Sequence, residues 1–443
     1  AAARPARLHL VPRGSARAMS FVSNLLRGGP QPRDDLDRRR SEGEKPKLRL
    51  SMSNAQDEPD RSGGRDNGRF HVEQRALAHL ADIVPAWRDL ARRTLEPNVF
   101  YEPEFALAAA PVFGSGVVAF LVWSRQEPRR LVGFFPVRVS RRYGLFPPVL
   151  AGWTYPYAPF GAALADRDES EAVIAALFDH IAASPRLPCL LLLPMAPTKG
   201  RWTHALASAL ARRGGRFALF DQHRRALLAP LRNRETYLDR AVSRGKRREL
   251  QRQARRLSER GAVVVSQALT PETIGPALET FMTLEARGWK GRAGSAAIMQ
   301  AAVAAFMRRA VVSLSARASA RVIQLSVGER PIAAGIVLRS GDRSWFWKIA
   351  YDESEARSSP GVQLTLELTQ ALLDDETVMQ TDSCAVANHP MIDRLWLERL
   401  ELADHLLQIG PGGGVRFALA CYLETLRRAL LATAKRLRGR LHR

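Results

Sequence analysis

Ile323-Gln324-Leu325-Ser326-Val327, then Gly328-Glu329-Arg330, an apolar run from Pro331 to Leu338, Ser340-Gly341-Asp342 and Trp345-Phe346-Trp347-Lys348-Ile349-Ala350-Tyr351 form the stretch whose reading decides the fold. Ile323, Leu325 and Val327 alternate with Gln324 and Ser326, the period of a half-buried strand. The two polar, glycine-containing breaks read as turns, so the segment predicts three antiparallel strands. In the third, Trp345, Trp347, Ile349 and Tyr351 alternate with Phe346, Lys348 and Ala350.

After Asp352 a polar loop ends in Ser358-Ser359-Pro360-Gly361, followed by Val362-Gln363-Leu364. Serine before proline marks a helix start, with Ser359 as N-cap and Pro360 where a missing N–H costs nothing. Free N–H groups beyond it, with Gly361 carrying no side chain, could hold a phosphate or pyrophosphate. An ordinary loop cap is the other reading.

Working outward, 443 residues exceed one ordinary core and suggest two domains plus tails. The hydrophobic share of 46% is that of a globular protein. With 67 Lys and Arg against 44 Asp and Glu, the net charge of +23 favours an anionic partner: CoA-like phosphates, RNA or an acidic membrane face. Cys189, Cys384 and Cys421 lie far apart without metal-ligand spacing, which fits a reducing, cytoplasmic setting. No apolar run has the length of a membrane span.

Residues 1–68 lack apolar periodicity and read as a disordered tail. Leu10-Val11-Pro12-Arg13-Gly14-Ser15 matches a protease-tag site, and the true start is open between the given one, Met19 and Met52; none gives a secretory signal. Residues 69–232 form the first unit. Helices are expected around Ile83, Trp87 and Leu90, from Asn98 onward, over 171–183 and over 202–213. A hairpin is expected from 117–123 and 131–139, and a buried strand over 189–193. Trp153-Thr154-Tyr155-Pro156-Tyr157 either caps a core or lines a pocket.

Residues 233–260 read as a basic linking helix, with Leu250, Ala254 and Leu257 on one stripe and Arg244, Arg248, Arg252 and Arg256 on another face. That face is either solvated or an anion-binding ridge. The second unit, 261–409, should run strand, helix, helix, three antiparallel strands, helix, strand, helix. Its members include a strand over 262–266, helices over 271–288 and 295–312, a strand over 378–382 and a closing helix over 396–407. Residues 410–443 are a glycine-rich hinge and a basic amphipathic helix, which lies on an anionic membrane surface at the inner membrane or packs on the body.

Several ordered blocks carry a resemblance. They are residues 243–261, Leu284-Glu285-Ala286-Arg287-Gly288-Trp289-Lys290-Gly291-Arg292, Ile332-Ala333-Ala334-Gly335-Ile336, 345–352 with Ser359-Pro360-Gly361, Asp382-Ser383-Cys384-Ala385, and His389-Pro390-Met391-Ile392-Asp393. Together they resemble the bacterial GNAT-type acetyltransferases of the cellulose-biosynthesis (CelD/BcsL-like) family over roughly residues 70 to 405. The resemblance implies an α/β (α+β) fold of two GNAT-like mixed-sheet domains in tandem, the first degenerate, as in Fem-type transferases. It also implies acetyl-CoA or another acyl-CoA as co-substrate, no metal, and a small-molecule or glycan acceptor. Arg357-Ser358-Ser359-Pro360-Gly361-Val362 stands where the superfamily commonly has Arg/Gln-x-x-Gly-x-Gly/Ala, and Asn388-His389-Pro390 where a Tyr-Lys pair is common.

Acyl transfer from a thioester needs a donor for the oxyanion and a proton acceptor. Backbone N–H groups at Ile349, Ala350 and Tyr351 are the candidate donors, and Ser358, Ser359, Gly361, Val362 and Gln363 the candidate phosphate cradle. Asp382 and His389 are the candidate bases, His389 because imidazole titrates near neutrality. Glu285, Trp289, Lys290 and Asp352 are candidate acceptor contacts, and Cys384 is either a nucleophile or a small buried thiol. Beside this acyl-CoA transferase stand a Fem-like aminoacyl-tRNA-dependent transferase and a non-catalytic scaffold at the membrane surface.

Overall fold

The computed structural model describes residues 68–441 except 145, 147 and 231–233. The tail over 1–67, its tag-like hexapeptide and the Met19 and Met52 starts lie outside the described residues. The strands are β1 (Phe70–Ala76), β2 (Val117–Ser124), β3 (Leu131–Ser140), β4 (Val149–Gly152), β5 (Leu164–Ala165), β6 (Leu190–Pro197), β7 (Arg216–Leu228), β8 (Val263–Ala268), β9 (Ala320–Val327), β10 (Arg330–Ser340), β11 (Arg343–Tyr351), β12 (Gln380–Asp382) and β13 (Glu398–Gln408). The α-helices are α1 (Val84–Arg93), α2 (Pro103–Phe113), α3 (Ser170–Ala183), α4 (Arg201–Arg212), α5 (Tyr237–Ala241), α6 (Arg244–Ser258), α7 (Pro271–Arg287), α8 (Trp289–Arg292), α9 (Ala301–Ser315), α10 (Pro360–Asp374) and α11 (Gly414–Leu441).

The deciding stretch folds as expected into β9, β10 and β11, antiparallel throughout. One side of this unit is covered by α7 and α9, the other by α6 and α10. The simple alternation of β11 does not hold. A bulge between Ile336 and Val337 of β10 leaves Trp347 as the extra residue opposite them. Trp345, Trp347 and Ala350 therefore lie in the core under α9, while Phe346 and Ile349 face α10. One inserted residue flips the parity of everything after it.

The strands form one 13-stranded sheet in the order β1-β2-β3-β4-β6-β13-β7-β12-β11-β10-β9-β8, with β5 on β3. Read inward from either edge, the plan is the same: a meander, then a parallel pair joined through a helix, then an antiparallel central strand. The parallel pairs are β4 with β6, joined through α3, and β11 with β12, joined through α10. At the centre the units exchange strands, because β13, late in the chain, sits between β6 and β7, and β7 sits between β13 and β12. A division at residue 232 therefore does not partition the sheet, because β13 of the second unit lies between β6 and β7 of the first.

Three readings are corrected. The helix expected over 396–407 is replaced by the strand β13, bonded along its edges to β6 and β7, with Leu402 and Leu407 buried in the main core on one face and Leu406 against Phe417 and Ala420 of α11 on the other. The linking helix over 233–260 is broken into α5 and α6 at Ser243, whose hydroxyl accepts the Lys246 N–H at 3.3 Å and caps α6. The helix expected from 295 begins at Ala301, after a single turn at Ala297–Met299.

Candidate active site

The site is a split in the sheet. β11 and β12 pair in parallel only from Arg343 to Trp345, opposite Gln380 to Asp382. Beyond Trp345, residues 346–351 are bonded to β10 alone, while Ser383 turns toward β7 and donates to Ala226 O at 3.2 Å. The bulge at Trp347 lies at this divergence. A strand edge left unpaired beside a neighbour that veers away is a slot for an extended ligand with amide groups of its own.

Lys348 stands on β11 beside the split. Its Nζ lies 4.1 Å from the centroid of the Tyr157 ring and 5.4 Å from that of Trp347. The Trp347 indole N–H donates to the Tyr157 carbonyl at 2.8 Å, fixing the aromatic wall. Burial depresses the ammonium to about 8, with the nearby Lys290 charge adding to the effect and Glu285 and Cys384 opposing it. Burial also raises Tyr157, aided by Glu285, so its ring stays a neutral phenol. Glu285 is buried and accepts from Lys290 Nζ at 2.5 Å and from the Ala297 N–H at 2.9 Å.

The apex of the split is locked from the other half. Arg225 of β7, fully buried, forms an ion pair with Asp382 and donates to Pro159 O at 2.9 Å. The second Asp382 oxygen accepts the Cys384 N–H at 3.0 Å. Both oxygens are thus engaged by groups that hold the apex together. His389 lies on the following loop, where its Nδ1 accepts the Met391 N–H at 3.4 Å, and among the described hydrogen bonds none joins it to Asp382. Cys384 is held as a thiol by burial and the Asp382 charge, far from the thiolate a nucleophile requires.

The helix start next to the split differs from the expected cap. Ser359 occupies the N-cap position at φ 50° and ψ 50°, and its hydroxyl does not cap the helix. A left-handed serine is strained, and it aims its carbonyl inward. That carbonyl takes the N–H groups of Val362 at 3.0 Å and Gln363 at 3.1 Å, so the ring of free donors is narrower than expected. A Cβ on Gly361 would stand 3.1 Å from Tyr351 Cδ1, so this close approach depends on glycine. The Gln363 amide donates to Leu250 O at 2.9 Å and anchors α6 instead of facing the split.

The remaining acceptor candidates lie around the rim. Asp352 accepts the Ser354 N–H at 3.0 Å and pairs with Arg330 at 2.5 Å, ordering the turn that precedes Ser358. Trp289 is exposed, and its backbone N–H donates to Glu353 Oε1 at 2.7 Å. The structure thus brings Glu285, Lys290 and Cys384 to the Lys348 side of the split and Ile349 to Tyr351 onto its open edge. Sequence reasoning missed Lys348, Tyr157 and Arg225. A lone lysine inside Trp345-Phe346-Trp347 and Ile349-Ala350 was the available signal; Arg225 and Tyr157 join the site only through the strand exchange and a loop of the other half.

That loop also closes the equivalent split of the first half. β4 and β6 pair only at Leu150 with Leu191 and Ala151 with Leu192. Where they diverge, the chain itself enters: the Gly161 N–H donates to Met195 O at 3.1 Å, and a Cβ there would stand 1.9 Å from Pro194 O. The turn from Tyr155 to Ala158, closed by a 2.8 Å bond, then presents Tyr157 to Lys348.

Residues 244–384 match the family described as Acetyltransferase (GNAT) domain. The second half carries a GNAT acetyltransferase domain. That acyltransferase domain includes Glu285, Lys348 and Cys384, while Tyr157, Arg225 and His389 lie outside the matched residues. Among solved structures the chain is similar to FemX, with TM-score 0.52, 9% identity, and coverage of 76% of this chain and 98% of that one. It is also similar to a tandem GNAT protein from the clavulanic acid biosynthesis pathway (TM-score 0.37, 13% identity, 78% and 100% covered). A third likeness is to a GCN5-related N-acetyltransferase from Kribbella flavida (TM-score 0.27, 10% identity, 76% and 71% covered). The FemX likeness is one of fold and extends over 76% of this chain, well beyond the matched residues 244–384. No curated protein matches it in sequence.

Proposed function

We propose that the GNAT half transfers an acyl group from an acyl-CoA thioester, acetyl-CoA being the simplest, to an amine or hydroxyl acceptor. The observation that carries this reading is the unpaired edge of β11 from residue 346 to 351, with the Lys348 amine beside it under Tyr157. Backbone amides on that edge can pair with the amides of a pantetheine arm and polarise the thioester carbonyl. The narrow helix start at Gly361 and the hydroxyls of Ser358 and Ser359 supply polar contacts for the diphosphate. Lys348, neutral in a substantial fraction near pH 8, accepts the acceptor's proton as its nitrogen or oxygen bonds to the carbonyl carbon. The C–S bond then breaks, the sulfur leaves with its electron pair, and the proton passes to it from Lys348. His389 is the competing base, on the loop beyond β12. An acceptor from envelope polysaccharide metabolism is the substrate class that the CelD/BcsL-like sequence blocks favour.

A second reading, acyl transfer from aminoacyl-tRNA, is favoured by one feature. Arg244, Arg248, Arg252 and Arg256 are exposed along α6, which packs beside α10 through Gln363. Thermal shift with acetyl-CoA, CoA and tRNA at two salt concentrations separates the two. A thioester seated in the split gives a shift set by its dissociation constant and largely kept at high salt. A tRNA stabilisation that fades with salt, with none from acetyl-CoA, would replace the first reading by the second.

A further inference from the structure

α11 carries two opposed faces. One is fastened to the body: Phe417 and Ala420 pack on Val149, Leu190, Leu192 and Leu406, and the fully buried Glu424 receives a two-pronged bond from Arg142 at 2.8 and 3.0 Å. Arg428 completes the clamp, bonding Glu424 at 2.6 Å and Asp404 of β13 at 2.5 Å. The other face is a row of exposed apolar side chains, Val415, Leu419, Tyr422, Leu426, Leu430 and Leu437, with Tyr422 at 65% and Leu430 at 63% exposure. At 100° per residue the row falls within an arc of about 80°, opposite the clamped face. The described side chains beyond Arg428 are all exposed, so the last turns of the helix project past the body.

We infer that this row is a docking surface for an anionic lipid membrane. The clamp fixes the helix with its apolar row outward, the orientation in which a helix can sink one face into the headgroup region. Charge selects the occupant. From Thr425 to Arg443 there is no acidic residue; Arg427 and Arg428 are paired with Glu424, and beyond them Lys435, Arg436, Arg438, Arg440 and Arg443 are all basic. Two copies pairing along this row would bring those cations together without acidic partners, while anionic lipid neutralises them. The helix lies on the surface rather than crossing it: among the described residues no single helix is long and apolar enough to span a membrane. The one bent pair that passes on composition, Trp289–Met299 with Ala301–Ser315, includes α9, whose Phe306 and Leu314 are buried in the core.

Vesicle flotation of the full chain tests this with neutral phosphatidylcholine vesicles and with vesicles containing about 30% phosphatidylglycerol, at about 50 and about 500 mM salt. The expected result is capture by the anionic vesicles at low salt, at least about tenfold weaker on neutral vesicles and reduced by high salt. The variant L419E/L426E/L430E changes exposed positions only; it should keep the parent melting curve and lose capture. Equal binding to neutral vesicles, or capture retained by the triple variant, overturns the proposal. So does a solution dimer of the parent that the triple variant dissolves, since the row would then be a contact between copies. These readouts are independent of acyl transfer.

Discussion

The Lys348 ammonium lies 4.1 Å from the centre of the Tyr157 ring, so an amine from the second half of the chain is held by an aromatic from the first. The contact survives burial because the ring face compensates part of the lost hydration. Burial brings this amine down to about 8, which suits it to proton transfer.

Lys348→Met should lower acyl transfer by about 100-fold or more while leaving the melting temperature unchanged or higher, because it removes a buried charge. In the parent, turnover should rise with pH through about 8, and that limb should vanish in the variant. His389→Ala should leave the limb in place. If His389→Ala removes it and Lys348→Met does not, the base assignment passes to His389. The stability effect has a definite sign: with its folded pKa lowered from 10.5 to about 8, Lys348 makes the fold more stable as pH rises between those values.

Asp382→Asn separates a clamp from a base. Removing the carboxylate leaves Arg225 buried and unpaired, which should cost roughly 3–5 kcal/mol in denaturant unfolding. A variant of parental stability with abolished turnover would restore Asp382 as a proton acceptor.

Gly361→Val places its side chain against Tyr351, 3.1 Å from where the new Cβ would stand. The variant should melt within a few degrees of the parent yet lose the thermal shift given by acetyl-CoA, read by scanning fluorimetry. An undiminished shift would move the diphosphate away from the start of α10.

Gly161→Ala tests whether the first half's split is filled by its own chain. The Cβ would stand 1.9 Å from the Pro194 carbonyl oxygen, a backbone atom, so the loop must leave the slot. A loss of about 3 kcal/mol or more in urea unfolding is expected, with water readmitted to Lys348 as Tyr157 withdraws, read as a higher apparent pKa for turnover.

Acid should release α11. Burial opposes the Glu424 charge, but the Arg142 and Arg427 hydrogen bonds and the Arg142 and Arg428 charges hold its carboxyl down to about 2. A depressed carboxylate contributes its full stability above the unfolded value near 4.5 and loses it as pH falls toward 2. Hydrogen exchange at Phe417 and Ala420 should accelerate across that window, and Glu424→Gln should bring the acceleration to neutral pH.

What the sequence disclosed follows from where water touches the chain. β9 to β11 were legible because their apolar residues keep strand periodicity between turns such as Gly328-Glu329-Arg330. β13 was read as a helix because a central strand buried on both faces has no polar side to mark its period. β7 was missed because Asp221, at φ 49°, interrupts it, and its run Gln222-His223-Arg224-Arg225 reads as a charged loop. The helix start beside the split was visible in Ser359-Pro360-Gly361. The lysine and aromatic wall of the site were not, because one depends on a bulge and the other on a contact with Tyr157, 191 positions earlier in the chain than Lys348.

The exchange of β7 and β13 also governs how this molecule comes into being. The nascent first half cannot finish its own sheet until residues 398–408 have been synthesised, because β6 and β7 have no direct pairing and are joined only through β13. Assembly therefore waits until β13 has left the ribosome. A gene truncated between the two halves would yield two exposed strand edges rather than a smaller working enzyme.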